Sequence, residues 1–234
     1  MVRRRLRKQQ IMQAAIEVFG KYSYQNANIS EIARKAGIAE GTIYQYFKNK
    51  QDLFFAIGLE RTKDFCRQID VQLEGITGTV DRLRKFVWYY LSYFKTNPDY
   101  VRSLMLEMRV SRDFVKSKSY KSFRAFSKQV LQILKEGQEE GIIRKDVDLY
   151  LAQQLLLGIL EHVVTRWLLK GEKYDLLQCH DQVSDLVITG VCSQAGKKAA
   201  AVRESLNKAA EATQPTGQEK QKSTGRRKSP PPKK

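Results

Sequence analysis

The chain of 234 residues contains few of the side chains on which disulfide, metal and catalytic sites depend. Its three cysteines, Cys66, Cys179 and Cys192, are far apart and lack the paired spacing of a zinc site, and there are only two histidines. Unpaired thiols of this kind predict a reducing compartment, the cytoplasm. No glycine-rich phosphate loop, nucleophile elbow or metal-binding cluster is present. We therefore predict that the protein is not an enzyme and requires no cofactor or metal.

Long apolar runs and strand patterns are also absent. No stretch of about eighteen apolar residues occurs, so we expect no membrane span. The basic N-terminus leads directly into an amphipathic helix and lacks the apolar segment of a secretion signal. Without alternating apolar positions or hairpin turn signals, the chain is predicted to be all-α.

The net charge of +17 is concentrated at the two ends of the chain. Residues 1–8 contain five basic and no acidic residues, and residues 197–234 contain eleven basic and three acidic residues, which leaves +4 for residues 9–196. We expect 1–8 to be a flexible basic arm and 197–234 to be a basic, largely disordered tail. Such extensions suit a polyanion, either DNA or an anionic membrane surface.

Residues 28–50, NISEIARKAGIAEGTIYQYFKNK, predict a helix-turn-helix. The first helix has apolar residues at i, i+3, i+4 and i+7, which are Ile29, Ile32, Ala33 and Ala36. Asn28 and Glu31 have the spacing of a capping box, and Gly37 supplies the positive φ that ends the helix. A second short helix at 40–47 buries Ile43 and Phe47 and leaves a polar face. That face is free to enter a DNA major groove.

Within this stretch, the pattern I-A-x-x-A-G-I-A-x-G-T-I-Y-x-Y-F-x-N-K resembles the DNA-binding motif of TetR-type transcriptional regulators. The sequence departs from the family at Ala39, where Ser or Thr usually caps the recognition helix. The resemblance implies a DNA-binding domain at 9–65 with its helix-turn-helix at 28–47. It implies base or phosphate contacts from Thr42, Tyr44 and Gln45, and phosphate contacts from Tyr46, Lys48 and Lys50. The complete set of implied DNA-binding residues is Asn28, Gly41, Thr42, Tyr44, Gln45, Tyr46, Lys48 and Lys50.

The apolar periodicity predicts helices on both sides of this motif. The first, at 9–21, completes a three-helix unit, and a helix that begins after Asn49 extends this unit to about residue 73. Further helices are predicted near 79–95, 98–109, 118–140, 148–170 and 181–194. We assign 66–196 to a helical domain that binds a ligand and forms a dimer. The helix at 148–170 is apolar almost all round. The excess apolar surface on the last two helices, 148–170 and 181–194, predicts a symmetric face for a homodimer on a palindromic double-stranded operator.

The middle of the chain is rich in aromatic residues and methionines that suit either an ordinary core or an apolar effector cavity. Residues 136–158 and 161–176 resemble the FadR-type subset of TetR regulators, which respond to long-chain acyl-CoA. This resemblance implies a repressor of fatty-acid metabolism genes that long-chain acyl-CoA releases from DNA. The candidate ligand-binding residues are Tyr89, Tyr93, Leu104, Met105, Met108, Arg109, Phe123, Phe126 and Trp167.

Two other functions fit the sequence. The chain could regulate an efflux or other catabolic operon in response to a different hydrophobic ligand. Its basic ends would also suit a non-specific protein of the nucleoid or of a membrane surface. Retention of one specific DNA site under excess random DNA distinguishes a regulator from the last class.

Overall fold

A computed structural model describes residues 2–198, 201, 202 and 205. Apart from one isolated bridge between Ile143 and Cys192, the regular structure of these residues is helical, as predicted. No helix in this part of the chain is both long and apolar enough to cross a membrane. The expected tail at 197–234 lies outside the described residues, except for 197, 198, 201, 202 and 205. The α-helices are α1 (Val2–Asn26), α2 (Ile29–Lys35), α3 (Glu40–Tyr44), α4 (Lys50–Leu73), α5 (Thr79–Lys95), α6 (Pro98–Ser103), α7 (Lys118–Glu139), α8 (Leu149–Leu169) and α9 (His180–Val191).

Helices α1, α2 and α3 pack into the predicted three-helix unit. The apolar face of α1 is buried, with Ile11 and Ala15 fully enclosed and Phe19 at 1% exposure. Ile32 of α2 and Ile43 of α3 complete the same small core. Gly37 adopts a φ of +62° between the two helices, as the turn requires. The recognition helix α3 ends at Tyr44 and is therefore shorter than the predicted 40–47, although Phe47 remains bonded to Ile43 through its amide.

The expectation of a flexible arm at residues 1–8 is wrong for residues 2–8, which form the first turns of α1. Arginine, leucine, lysine and glutamine are all good helix formers, and no proline or glycine interrupts the chain before Gly20. The helix is kinked near its other end, where Ser23 has a φ of 68°. The predicted helix at 9–21 is therefore the middle of a longer element.

Capping differs between the starts of α4 and α2. At the start of α4, the Asn49 side chain accepts the Asp52 amide at 2.8 Å, and Asp52 accepts the Lys48 amide at 2.9 Å. At the start of α2, Asn28 has the extended backbone of a cap but makes no side-chain cap bond. The predicted partner, Glu31, instead forms an ion pair with Arg34 at 3.5 Å. The capping box predicted at Asn28 is therefore wrong, and a side-chain cap bond occurs at Asn49 instead.

Helix α4 leads from the three-helix unit into the second half of the structure, where it packs beside α5 and α7. Phe65 is the centre of this packing, with ring centroids 5.0 Å from those of Tyr93 and Phe126. Ser119 of α7 donates a hydrogen bond to the Phe55 carbonyl near the start of α4. Near the end of α4, the Asp70 carboxylate accepts a hydrogen bond from Gln129 of α7. The two helices are thus in contact along most of α4.

The helix predicted at 98–109 has two parts. Pro98 starts α6 as expected, because the first turn of a helix does not need its missing amide. From Leu104 to Met108 the chain forms a π-helical turn, in which the Arg109 amide bonds to the Leu104 carbonyl at 3.1 Å. Such turns often occur at functional sites. We call Leu104–Met108 the π-turn.

Candidate DNA-binding surface and effector cavity

The polar face of α3 and of the turn after it is open to solvent. Tyr44 is 50% exposed, Gln45 and Lys48 are exposed, and Thr42 and Tyr46 are half-buried. Gly41 is exposed, and a Cβ placed on it would meet no atom within 4 Å. A short helix with hydroxyl, amide and ammonium groups on one open face has the shape and chemistry of a major-groove reader.

Lys50 is bound within the three-helix unit. Its ammonium donates to the Ala27 carbonyl at 3.0 Å and the Gln25 carbonyl at 3.3 Å, and it lies 4.8 Å from the centroid of the Tyr24 ring. These contacts fasten the start of α4 to the connection between α1 and α2. Asn28 is exposed at that connection.

A narrow cavity lies among α4, α5, α6, the π-turn and α7, and the space in it that the centre of a water-sized sphere can occupy is about 30 Å³. Its walls are almost entirely apolar and aromatic, and two guanidinium groups, from Arg61 and Arg109, adjoin them. This volume is far below the range for small-molecule sites, about 300–1,000 Å³, so the walls would have to move apart to admit a ligand of that size. The lining residues are Arg61, Thr62, Phe65, Tyr90, Tyr93, Phe94, Tyr100, Leu104, Met105, Arg109, Phe123 and Phe126.

Six of the nine candidate ligand-binding residues line this cavity, namely Tyr93, Leu104, Met105, Arg109, Phe123 and Phe126. The other three lie outside its lining. Tyr89 donates to the Gln68 side chain at 3.2 Å, and Trp167 donates to the Tyr174 carbonyl at 2.8 Å. Met108 is fully buried against Gly58 of α4.

The sequence pattern did not single out Arg61, Thr62 or Tyr100 as lining residues. Arg61 and Thr62 are polar residues on α4 between the apolar positions Ile57 and Phe65, where periodicity predicts a solvated face. Phe65, Tyr90 and Phe94 lie in the predicted apolar stripes, which cannot separate a core position from a cavity wall. Only the arrangement of five neighbouring elements identifies these residues as a wall.

The electrostatic environment keeps the phenols of the cavity neutral. Burial raises the pKa of Tyr93 to about 12 and also raises the pKa values of Tyr90 and Tyr100. The guanidinium of Arg109 lies 2.5 Å from Glu161 and 4.6 Å from the centroid of the Phe123 ring. The cavity therefore offers aromatic walls, neutral hydroxyls and a cation that is already paired.

Two hydrogen bonds connect the cavity walls with the three-helix unit. Arg61 donates to the Gln13 side chain on α1 at 3.0 Å. Glu107 of the π-turn accepts the Tyr24 amide at 2.5 Å, directly after the kink at Ser23. A change of shape in the cavity wall can therefore reach α1 directly.

An apolar face on α8 and α9 is exposed. Leu151 and Leu155 are 55% and 56% exposed, and Leu186 is 70% exposed. Gly158 and Gly190 lie on the exposed sides of these two helices, and a Cβ placed on either would meet no atom within 4 Å. Contiguous apolar exposure with small residues suits close contact with another helix pair.

The sequence matches two known families in succession. Residues 11–57 match "Bacterial regulatory proteins, tetR family", and residues 59–190 match "YsiA-like protein, C-terminal region". The chain is 29% identical over 191 residues to the fatty acid metabolism regulator protein of Bacillus subtilis, an alignment that covers 82% of this chain and 98% of that protein.

Solved structures show the same relationship. The fatty acid degradation regulator FadR of Bacillus halodurans has a TM-score of 0.75 at 31% identity, with 79% of this chain and 95% of that chain covered. The transcriptional regulator FadR of Bacillus subtilis, solved in complex with stearoyl-CoA, has a TM-score of 0.74 at 29% identity, with 78% and 98% covered. The two family matches together span most of the chain, and the protein belongs to the TetR family of bacterial regulatory proteins.

Proposed function

We propose that the protein is a transcriptional repressor of fatty-acid metabolism genes that long-chain acyl-CoA releases from its DNA operator. The aromatic cavity between α4, α5, the π-turn and α7 is the observation that carries this proposal. A protein of the same fold, 29% identical over nearly its whole length, has been solved in complex with stearoyl-CoA. An apolar acyl chain suits the aromatic walls, and the six candidate residues that line the cavity would contact it. We assign no catalytic activity to the protein and place it in the cytoplasm.

The DNA-binding half of the proposal rests on the exposed face of α3. We assign base contacts to Thr42, Tyr44 and Gln45, since Gln can bond adenine bidentately and the Thr methyl group can contact thymine. Tyr46 and Lys48 would contact phosphates. A single short helix reads few base pairs, so a specific site requires two copies.

We propose a homodimer that forms through the exposed face of α8 and α9. Leu151, Leu155 and Leu186 would belong to a patch that packs against the same patch of the second copy, as a two-fold interface requires. Two recognition helices would then occupy successive major-groove turns about 34 Å apart on a palindromic operator.

Release by the effector follows from the position of the cavity. A ligand shifts a conformational equilibrium only through different affinities for the two states. Because the empty volume is small, we expect a long acyl chain to separate α4 from α5 and α7 on entry. Helix α4 starts at the end of the helix-turn-helix, where the Asn49 cap fixes it, so its displacement would change the spacing of the two recognition helices.

The proposal is tested by selecting bound sequences from a random DNA pool with and without palmitoyl-CoA. We expect one palindromic sequence to be enriched without the ligand and absent with it. Enrichment that palmitoyl-CoA does not affect would instead favour a regulator with another hydrophobic ligand. Binding that excess random DNA abolishes would favour a non-specific nucleoid protein.

A further inference from the structure

The first two turns of α1 carry an unusual charge. Arg3, Arg4, Arg5, Arg7 and Lys8 occur within six consecutive residues, and the first acidic residue of the chain is Glu17. The four arginines are exposed and Lys8 is half-buried. None of these five cations takes part in an ion pair with another described residue of the chain, and Arg7 bonds only to the neutral Gln10 at 3.0 Å.

This basic segment lies directly beside the end of the recognition helix. The Arg4 guanidinium is 5.9 Å from the centroid of the Tyr46 ring, and the Lys8 ammonium is 5.7 Å from that of Phe47. Both distances are within the range of cation–π attraction. One turn further along α1, Gln10 donates to the Ala36 carbonyl at the end of α2, at 2.6 Å. The helix is therefore held against both helices of the DNA-binding motif.

Helical geometry places the cations on one side. Arg3, Arg4, Arg7 and Lys8 are related by spacings of three and four residues and so form a continuous stripe. Because Arg4 and Lys8 lie over Tyr46 and Phe47, the stripe borders the exposed surface of α3. Arg5 is three residues before Lys8 and lies at the edge of the stripe farthest from Arg3. A stripe of unpaired cations beside a major-groove reader provides charge for the backbone of the same DNA molecule.

An anionic membrane is the other polyanion that such a segment could meet. A helix that lies in a membrane surface needs a long apolar face as well as cations. Between residues 2 and 10 the only apolar side chains are Val2 and Leu6, and the next positions on that side are glutamines. The residues favour DNA.

We propose that Arg3, Arg4 and Arg7 bind DNA phosphates beside the bases that α3 reads, as a second point of attachment of each subunit to the duplex. This inference rests on the proposed function, because it needs a specific duplex on α3. Phosphate contacts position a protein and raise its affinity for any sequence, but they do not select bases. These three arginines would therefore strengthen binding to the operator and to random DNA alike.

The test compares two charge-matched triple variants of the full chain. The first carries Arg3→Gln, Arg4→Gln and Arg7→Gln. The control carries Lys128→Gln, Lys135→Gln and Lys145→Gln. These three exposed lysines lie from the middle of α7 onward, on the side of Gln129, which bonds to Asp70 near the end of α4 and away from the DNA-binding motif. Dissociation constants are measured over a series of salt concentrations with the selected operator and with a random duplex of equal length. Circular dichroism confirms that both variants are folded.

We expect the slope of log Kd against log salt to become shallower by about 0.9 for each phosphate that the variant no longer neutralises, hence by about 5 for three phosphates in each of two subunits. The affinities for operator and random DNA should fall by the same factor. A change in slope of less than about 1, or one equal to that of the lysine control, would overturn the inference. If the arginine variant bound phosphatidylserine vesicles more weakly than the wild type while its DNA slopes were unchanged, the partner of these arginines would be a membrane surface and not DNA. Failure of the wild-type protein to prefer any operator would refute the proposed function itself, whatever the slopes.

Discussion

The guanidinium of Arg61, which adjoins the central cavity, donates a 3.0 Å hydrogen bond to the side chain of Gln13 on the first helix. Gln13 in turn donates to Glu17 at 3.4 Å, and Glu17 pairs with Lys35 of α2 at 2.7 Å. A continuous set of polar contacts thus leads from the cavity wall to the helix-turn-helix. Coupling between two sites requires an element whose arrangement both sites influence, and we predict that this set of contacts is one.

Replacement of Gln13 tests this link without altering the cavity lining. We expect Gln13→Ala to bind palmitoyl-CoA like the wild type and to release DNA less completely when the ligand binds. A hydrogen bond contributes about 0.5–1.5 kcal/mol, so the ratio of DNA Kd values with and without ligand should fall about twofold to tenfold. Calorimetry gives the ligand affinity and gel shifts give the ratio. The matched control is Gln9→Ala, one turn earlier on the same helix, and equal ratios in both variants would contradict the link.

Tyr44 and Lys50 should respond differently to substitution. Tyr44 is exposed, so Tyr44→Ala should weaken operator binding and change the free energy of unfolding by only about 0.5 kcal/mol. Lys50→Met keeps the aliphatic stem but removes the bonds to two carbonyl groups. It should lower the free energy of unfolding by about 1–3 kcal/mol and weaken DNA binding as a result. Urea denaturation and gel shifts at fixed salt separate the two effects, and wild-type affinity in the Tyr44 variant would refute its assignment.

A charge on the exposed face of α8 and α9 should break the dimer. Leu155→Glu together with Leu186→Glu introduces like charges that face each other across a two-fold axis. We expect sedimentation to show a monomer at micromolar concentration and operator affinity to fall steeply. The control Val71→Glu changes an equally exposed apolar residue on α4 and should remain dimeric. A wild-type protein that sediments as a monomer would rule out this interface.

Glu107 should make stability depend on pH. Burial raises the pKa of Glu107 above its ordinary value of 4.5, and the Tyr24 amide and Lys50 act in the opposite direction. The protonated carboxyl therefore favours the folded state. This contribution is complete below pH 4.5 and disappears as the pH rises through the folded-state pKa.

Glu107→Gln removes this titration and can still accept the Tyr24 amide. We expect its free energy of unfolding, relative to the wild type, to increase as the pH rises from about 4.5 through the folded-state pKa of Glu107 and then to stay constant. Urea unfolding curves at a series of pH values measure the difference. A difference that does not vary with pH would show that the carboxyl has an ordinary pKa.

The helix-turn-helix could be predicted from the sequence because its signals are local and numerous. Periodic apolar positions, Gly37 and the pattern from Ile32 to Lys50 all specify the same three helices, and the core residues follow from them. The spacing of a cap residue and its partner is less decisive, because Asn49 and Asp52 form a cap bond whereas Asn28 and Glu31, equally spaced, do not. In these places each residue depends on neighbours close in the chain.

Features that depend on distant segments could not be predicted. Lys50 donates hydrogen bonds to the carbonyl groups of Gln25 and Ala27, more than twenty positions earlier. Arg61 donates to Gln13, which is 48 positions earlier. The π-turn has the apolar spacing of an ordinary helix and differs only in its hydrogen bonds. Likewise, the aromatic stripes of α5 and α7 predict burial, but only their packing against α4 distinguishes a cavity wall from a filled core.

The most direct test of ligand-controlled DNA release measures operator binding during titration with palmitoyl-CoA. The duplex is the palindrome selected by the protein, and free coenzyme A and palmitate serve as controls for the two halves of the ligand. We predict that palmitoyl-CoA raises the Kd for the operator by about fivefold to 150-fold, the usual range of coupling between two sites, and that neither half does so alone. An operator Kd that stays constant while palmitoyl-CoA demonstrably binds the protein would contradict ligand-controlled release of DNA.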